Sequence, residues 1–191
     1  KDELSLWSDA ISKSPGKARP YNNRGLAYEG SGKPELALAD YSRAIELDPS
    51  YVEAHGNRGN LYLAKKDTES AIADYSMVIK LQPGDAKAYN NRGCLYSDKA
   101  DAAAALADFD KAIVLNPYYE GAYFNRAMLY GKQNKYDNVL SDFGKVIELN
   151  PNNAAAYYYR AVAYFCKKDY AGSRREVQKA GAMGFAVPAE F

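Results

Sequence analysis

Arg24, Arg58, Arg92, Arg126 and Arg160 stand 34 residues apart, and so do Tyr28, Tyr62, Tyr96, Tyr130 and Tyr164. Pro15, Pro49, Pro83, Pro117 and Pro151 keep the same period. Three residue types on one period leave room for little but an array of one repeated supersecondary unit. Framed at Ala18, Val52, Ala86, Glu120 and Ala154, the units run 18–51, 52–85, 86–119, 120–153 and 154–187, with a tail at 188–191. The last is degenerate and reads as a cap. Residues 1–17 read as a leading helix, the second helix of a preceding unit, with Trp7, Ala10, Ile11 and Pro15 in register. The expected whole is a single elongated domain.

Each unit reads as two helices. Tyr21, Arg24, Gly25 and Tyr28 fall at i, i+3, i+4 and i+7, one stripe of a helix. Ala37, Leu38, Tyr41, Ala44 and Ile45 form a second stripe. Gly30, Gly32 and Pro34 break the chain between them, which suits a short link in an antiparallel pair. Pro49 ends the second helix by disfavouring the α region for Asp48. Gln82, Asn116 and Asn150 hold the same pre-proline place in later units.

This pattern closely resembles the tetratricopeptide repeat. The first unit carries the family's series as Tyr21, Gly25, Tyr28, Ala37, Tyr41 and Pro49, and the second as His55, Gly59, Tyr62, Ala71, Tyr75 and Pro83. The third has Tyr89, Gly93, Tyr96, Ala105, Phe109 and Pro117; the fourth drifts to Tyr123, Ala127, Tyr130, Val139, Phe143 and Pro151. The fifth keeps Tyr157, Ala161 and Tyr164, then loses the series at Ser173, Val177 and Phe185. The resemblance implies an all-α, right-handed superhelical solenoid of antiparallel helix pairs. Its small residues let neighbouring helices approach, and its aromatic and aliphatic residues fill seams that no unit can bury alone. Most of the 18 tyrosines are expected in that seam, ring inside and hydroxyl at the edge.

Composition narrows function further. Lys plus Arg number 25 against 24 Asp plus Glu, so the chain lacks the bulk positive charge that drives phosphate-backbone binding, and nucleic acid is not an expected partner. No apolar run approaches a membrane span, so no direct membrane insertion is expected. Two cysteines and one histidine leave few metal ligands, and no metal or cofactor is expected. Cys94 and Cys166 lie two units apart, too far for a disulfide. His55 takes an aromatic packing place, not that of a base. No phosphate loop or Cys–His nucleophile pair is present, so no catalytic residue is expected. The chain opens at Lys1 without Met, as an excised or processed protein would; Lys1-Asp2-Glu3-Leu4 spells a retention signal that is read only at a C-terminus.

One departure from the family pattern is consistent. Arg24, Arg58, Arg92, Arg126 and Arg160 stand where the family commonly has Leu, just before the small residue. A charge inside a seam requires a partner, because burying it unpaired is costly. The second helices supply Asp40, Asp74, Asp108, Asp142 and Glu176 at a fixed place. A repeated Arg–carboxylate ladder between helices is expected, within a unit or between neighbours.

The first helices line the concave face in this family, so the residues opposite the packing stripe are expected to line a peptide-binding groove. They are Asn23, Asn57, Asn91, Asn125 and Tyr159, with Leu26, Asn60, Cys94, Met128 and Val162 three residues on. An asparagine ladder here resembles those of the O-GlcNAc transferase repeat domain and of armadillo importins, where amides hold an extended peptide backbone. An amide offers both donor and acceptor. Placed opposite the packing stripe, Asn57 and Asn91 should be replaceable by Ala without leaving a buried group unpaired. Towards the C-terminus the groove turns apolar, with Phe124, Met128, Tyr158, Val162 and Phe165. That patch is either an interaction site or the seat of the chain's own tail, Ala186 to Phe191.

Chaperone-tail clamps of the family use Lys, Asn, Asn, Lys and Arg. The matching positions here hold Asn22, Leu26, Asn57, Lys87 and Asn91, and the first Lys and the Arg are missing. The expected function is therefore a non-catalytic scaffold for a protein or peptide. Two alternatives stay open. Asp2 to Asp9, Lys13-Ser14-Pro15 and Tyr21-Asn22-Asn23-Arg24-Gly25 resemble the entry into the repeats of O-mannosyltransferase-like polytopic membrane proteins, which would put the chain on a periplasmic or lumenal face instead of the cytoplasm. Self-association through the solenoid ends is the other.

Overall fold

The computed structural model describes residues 3–188. Among them are eleven helices: α1 (Glu3–Lys13), α2 (Ala18–Gly30), α3 (Pro34–Leu47), α4 (Val52–Ala64), α5 (Thr68–Leu81), α6 (Ala86–Asp98), α7 (Ala102–Leu115), α8 (Glu120–Lys132), α9 (Tyr136–Leu149), α10 (Ala154–Cys166) and α11 (Tyr170–Ala182). The first helices of the five units start at Ala18, Val52, Ala86, Glu120 and Ala154. No described residue is in a strand. The fold is an all-α helical-repeat solenoid, and its residues fall into two compact units, Lys1–Leu95 and Tyr96–Phe191.

In the first unit α1 packs on α2, α2 on α3, α3 on α4 and α4 on α5. Its core holds Ala37, Tyr41 and Leu61 in one cluster and Ala71, Tyr75 and Leu95 in another, with Tyr28, Leu38, Tyr62 and Ile72 against them. In the second unit α7 packs on α8, α8 on α9, α9 on α10 and α10 on α11. There Ala127, Val139, Phe143, Val146, Ala156 and Ala163 make one continuous cluster. Alanine at so many core places brings helices close, and the aromatic rings fill what remains.

The turns repeat as faithfully as the helices. Asp48, Gln82, Asn116 and Asn150 all leave the helical region, at φ of −142°, −131°, −140° and −139°. Each precedes a proline, whose ring forbids another turn of helix. The other turn, within each helix pair, runs through positive φ at one fixed place: Gly32 (69°), Lys66 (61°), Ala100 (60°), Asn134 (58°) and Lys168 (65°). Around it Lys33, Asp67, Asp101, Lys135 and Asp169 donate their backbone N–H to Tyr28, Tyr62, Tyr96, Tyr130 and Tyr164. This is the Schellman closure of a helix C-terminus.

Only the first unit spends a glycine where the left-handed conformation favours one. Lys66 and Lys168 are exposed, and a side chain in that region costs about 1 kcal/mol or more. Lys66→Gly and Lys168→Gly are each expected to stabilise the protein by about 0.5–1 kcal/mol. A denaturation midpoint that stays put or falls would contradict this.

Candidate functional site

The seam arginines come first, because they hold the first helices in place. Arg24 donates from Nε and Nη2 to the two carboxylate oxygens of Asp40, at 2.7 and 2.8 Å. Arg58 grips Asp74 in the same fork at 2.8 and 2.9 Å, and Arg126 grips Asp142 at 2.8 and 2.7 Å. Arg160 reaches a single oxygen of Glu176, at 3.1 and 2.6 Å. All four pairs lie within one repeat, between its two helices. Arg92 donates to Ser76 Oγ at 3.0 Å, and Asp108 is buried on α7.

Arg24, Arg58, Arg92 and Arg126 also reach back to a side chain of the helix before, Arg24 to Ser8 Oγ at 3.5 Å. Arg58 Nη1 donates to Ser42 Oγ at 3.0 Å, and Arg126 Nη1 to Asp110 at 2.5 Å. Tyrosines flank the guanidinium at helical spacing: Tyr21 and Tyr28 lie within 5.8 Å of Arg24, and Tyr123 and Tyr130 within 5.9 Å of Arg126. Such contacts favour the cation. The carboxylate hydrogen bonds hold Arg24, Arg58 and Arg126 above the ordinary arginine pKa, against the opposing effect of burial. These charges are structural, fully engaged before any ligand arrives.

His55 is buried with them, its Nδ1 3.0 Å from Asp74 Oδ1 and its Nε2 3.1 Å from the Pro49 carbonyl. In the first unit Tyr21 makes the second of these contacts, donating to Pro15 O at 3.2 Å. The ring is therefore a seam residue that ties α4 to the preceding turn.

On the opposite stripe, the first unit opens a cavity of about 720 Å³. Asn22, Asn23, Asn57 and Asn60 line it, with Leu26 and Gly56 between them and Arg19, Glu53, Gln82 and Asp85 around it. A second hollow of about 190 Å³ shares Gly56, Asn60, Val78 and Asp85 with the first and adds Tyr75, Lys87, Ala88 and Asn91. Four of the asparagines expected in a groove, Asn23, Asn57, Asn60 and Asn91, thus line adjoining hollows of one unit. Asn125 sits half-buried on α8 of the other unit.

The amides are not idle, and here one expectation is corrected. Asn57 Nδ2 donates to Asn22 Oδ1 at 2.9 Å, and Asn22 Nδ2 donates to Asn23 Oδ1 at 3.3 Å. Asn22 is buried, so Asn57→Ala would strand its carbonyl. Tyr75 donates its hydroxyl to Asn60 Oδ1 at 2.6 Å, and Asn91 lines the same hollow. Burial pushes the Tyr75 phenol up to about 12, with the Asn91 side chain acting the other way. Asn57 is therefore no spectator in the free protein.

Sequence reasoning passed over Tyr75 as a site residue. A signal existed for Tyr75: the place is Tyr in units one and two but Phe109 and Phe143 in units three and four. Packing there needs only the ring, so the two hydroxyls require another explanation. Tyr41 gives its hydroxyl to Glu29 at 2.8 Å, and burial raises its pKa.

The second unit is apolar by contrast. Met128, Tyr159 and Val162 line a cavity of about 260 Å³ with Gly131, Tyr136, Val139 and Cys166. Phe124 is turned onto Phe143 and Tyr159, with ring centroids 5.2 and 5.9 Å apart. Tyr158 lies under Phe185, stacked at 4.8 Å, while Phe165 is exposed against Tyr170. The expected patch is thus divided: Phe185, just before the expected cover, stacks on Tyr158, and the hollow at Met128 and Val162 stays open among the described residues. Residues 189–191 of the expected cover lie outside the described residues.

The outward face of α11 carries Tyr170, Arg174, Arg175 and Gln178 around a concavity of about 380 Å³. Arg174 stands where earlier second helices have Leu38, Ile72, Leu106 and Leu140. Neither Cys94 nor Cys166 is in a disulfide. Among the described residues no helix is long and apolar enough to cross a membrane, and no cluster of His, Cys, Asp and Glu could hold a metal ion.

Models of the tetratricopeptide repeat match residues 22–86, 86–119, 121–153 and 143–175. No curated protein matches the chain. Among solved structures, that of YrrB, described as a tetratricopeptide protein with an unusual peptide-binding site, is similar at a TM-score of 0.79 and 26% identity, over 93% of this chain and 91% of that one. A tetratricopeptide repeat protein from Parabacteroides merdae ATCC 43184 is similar at 0.79 and 26% identity, over 97% and 73%. MamA is similar in fold at 0.82 with 23% identity, over 90% and 98%. The likeness to O-mannosyltransferase-like membrane proteins finds no support among these.

Proposed function

Since the chain belongs to the tetratricopeptide repeat family, whose members are in general non-catalytic protein-interaction scaffolds, we propose that the amide-lined hollows of its first unit hold the main chain of an extended peptide. The observation that carries this reading is the cavity of about 720 Å³ ringed by Asn22, Asn23, Asn57 and Asn60. Amides supply donors and acceptors in equal measure and make no demand on side-chain charge, which suits a backbone ligand. The nearest charges, Arg19, Glu53 and Asp85, are of both signs and flank the amides. YrrB, similar over most of its length, lends support as a protein described by its peptide-binding site.

Gly56 provides the test. A Cβ built there meets only Val78 Cγ2, at 4.0 Å, so a larger side chain enters the hollow without disturbing an amide. Gly56→Phe is expected to leave the helical signal intact, and to improve it slightly since glycine is a poor helix former. Its affinity for a linear dodecapeptide, selected from a random library on the unaltered protein, should fall at least about tenfold, or about 1.4 kcal/mol. A Gly56→Phe protein that binds the peptide at full strength would move the binding surface elsewhere.

A further inference from the structure

Tyr75 belongs to the second helix of its repeat, and its ring is part of the core, 2% exposed. Its hydroxyl nevertheless emerges into the hollow of about 190 Å³, between two first helices. There it donates to Asn60 Oδ1 at 2.6 Å, and Asn91 lines the same hollow. An amide that accepts through its oxygen has its two N–H groups left to give. Asn60 is thereby fixed against a flip and keeps those N–H groups for the hollow.

We infer that the Tyr75 hydroxyl is a positioning group which fixes Asn60 as a hydrogen-bond donor toward a carbonyl of a bound peptide main chain. The inference rests on the peptide-groove reading and deepens it: the groove then requires a C=O at one set place along the ligand. A free amide would turn to meet either a C=O or an N–H; one locked by a buried ring cannot. Preorganised polar groups lose less freedom on binding, so the lock also favours affinity. The comparison with Phe109 and Phe143 carries the point, because the same packing place is filled there without a hydroxyl.

Tyr75→Phe removes the lock and leaves a ring that the fold already accepts at this place. The probe is the linear dodecapeptide selected on the unaltered protein, together with a set of its variants carrying a single backbone thioamide, whose sulfur accepts hydrogen bonds more weakly than oxygen. Unaltered protein should lose about tenfold in affinity at the one position whose carbonyl faces Asn60. Tyr75→Phe should bind the parent peptide about tenfold more weakly and show a flattened thioamide profile. Without ligand, the side-chain amide resonances of Asn60 should shift and broaden in Tyr75→Phe. Full affinity and an unchanged thioamide profile in Tyr75→Phe would overturn the positioning role, provided Gly56→Phe abolishes binding of the same peptide. If Gly56→Phe binds normally, or the library yields no groove binder, the groove reading falls and this inference falls with it.

Discussion

Asp74→Ala should destabilise the protein by about 3 kcal/mol or more, the scale on which removing one partner of a buried ion pair acts. The Asp74 side chain is 4% exposed and accepts from three donors: Arg58 through Nε and Nη2, and His55 through Nδ1. Removing it leaves a guanidinium held by Tyr62 of its own helix and Ser42 of α3 with no anion beside it. It also strands a ring nitrogen in the seam. Replacing the exposed Asp98 should change stability by no more than about 0.5 kcal/mol. Chemical denaturation followed by circular dichroism compares the two, and equal losses would mean the seam pair contributes nothing beyond a surface charge. Arg58→Ala should fall between them, since the arginine is partly solvated and Asp74 retains His55.

Gly25→Val should cost a comparable amount, about 3 kcal/mol, through overpacking in place of lost charge. A Cβ on Gly25 would lie 2.6 Å from Cε1 and 2.8 Å from Cδ1 of Tyr41, a ring with no exposed surface that α2 and α3 close upon. Gly25→Ala should cost less, because leaving glycine in a helix returns up to about 1 kcal/mol. Gly59 is the internal control. There the nearest atoms are Asp74 Cβ at 3.3 Å and Tyr75 at 3.5 Å, so Gly59→Ala should be tolerated better than Gly25→Ala. In the fourth and fifth repeats the place is held by Ala127 and Ala161, both fully buried, so that seam is already spaced for a methyl group. Thermal unfolding in which Gly25→Ala melts above Gly59→Ala would refute this ordering.

Much of this architecture was readable from the chain alone, for a physical reason. A helix pair that cannot bury its own apolar face imposes the same small, aromatic and turn residues on every copy, so the recurrence of Arg24, Tyr28 and Pro49 announces the fold. The carboxylates opposite the arginines were legible in the same way, as charges on the packing stripe at a constant offset. The left-handed turn was not. Gly32 marks it once, but Lys66, Ala100, Asn134 and Lys168 adopt it without the residue that would signal it, held by the backbone bonds of the helix end.

The groove divides along the same line. Local order in the sequence determined which amides share a face of the first helices, because a helical spacing sets the direction of each side chain. Which atom each amide bonds was decided only by the fold. Asn57 meets Asn22 from 35 residues away, and Asn60 meets the hydroxyl of a core tyrosine 15 residues on. An amide presents a donor and an acceptor of nearly the same shape, so its residue type cannot say which one is spent. Only the packing of a second helix behind the first, bringing Tyr75 within 2.6 Å, determines which group is left for a ligand.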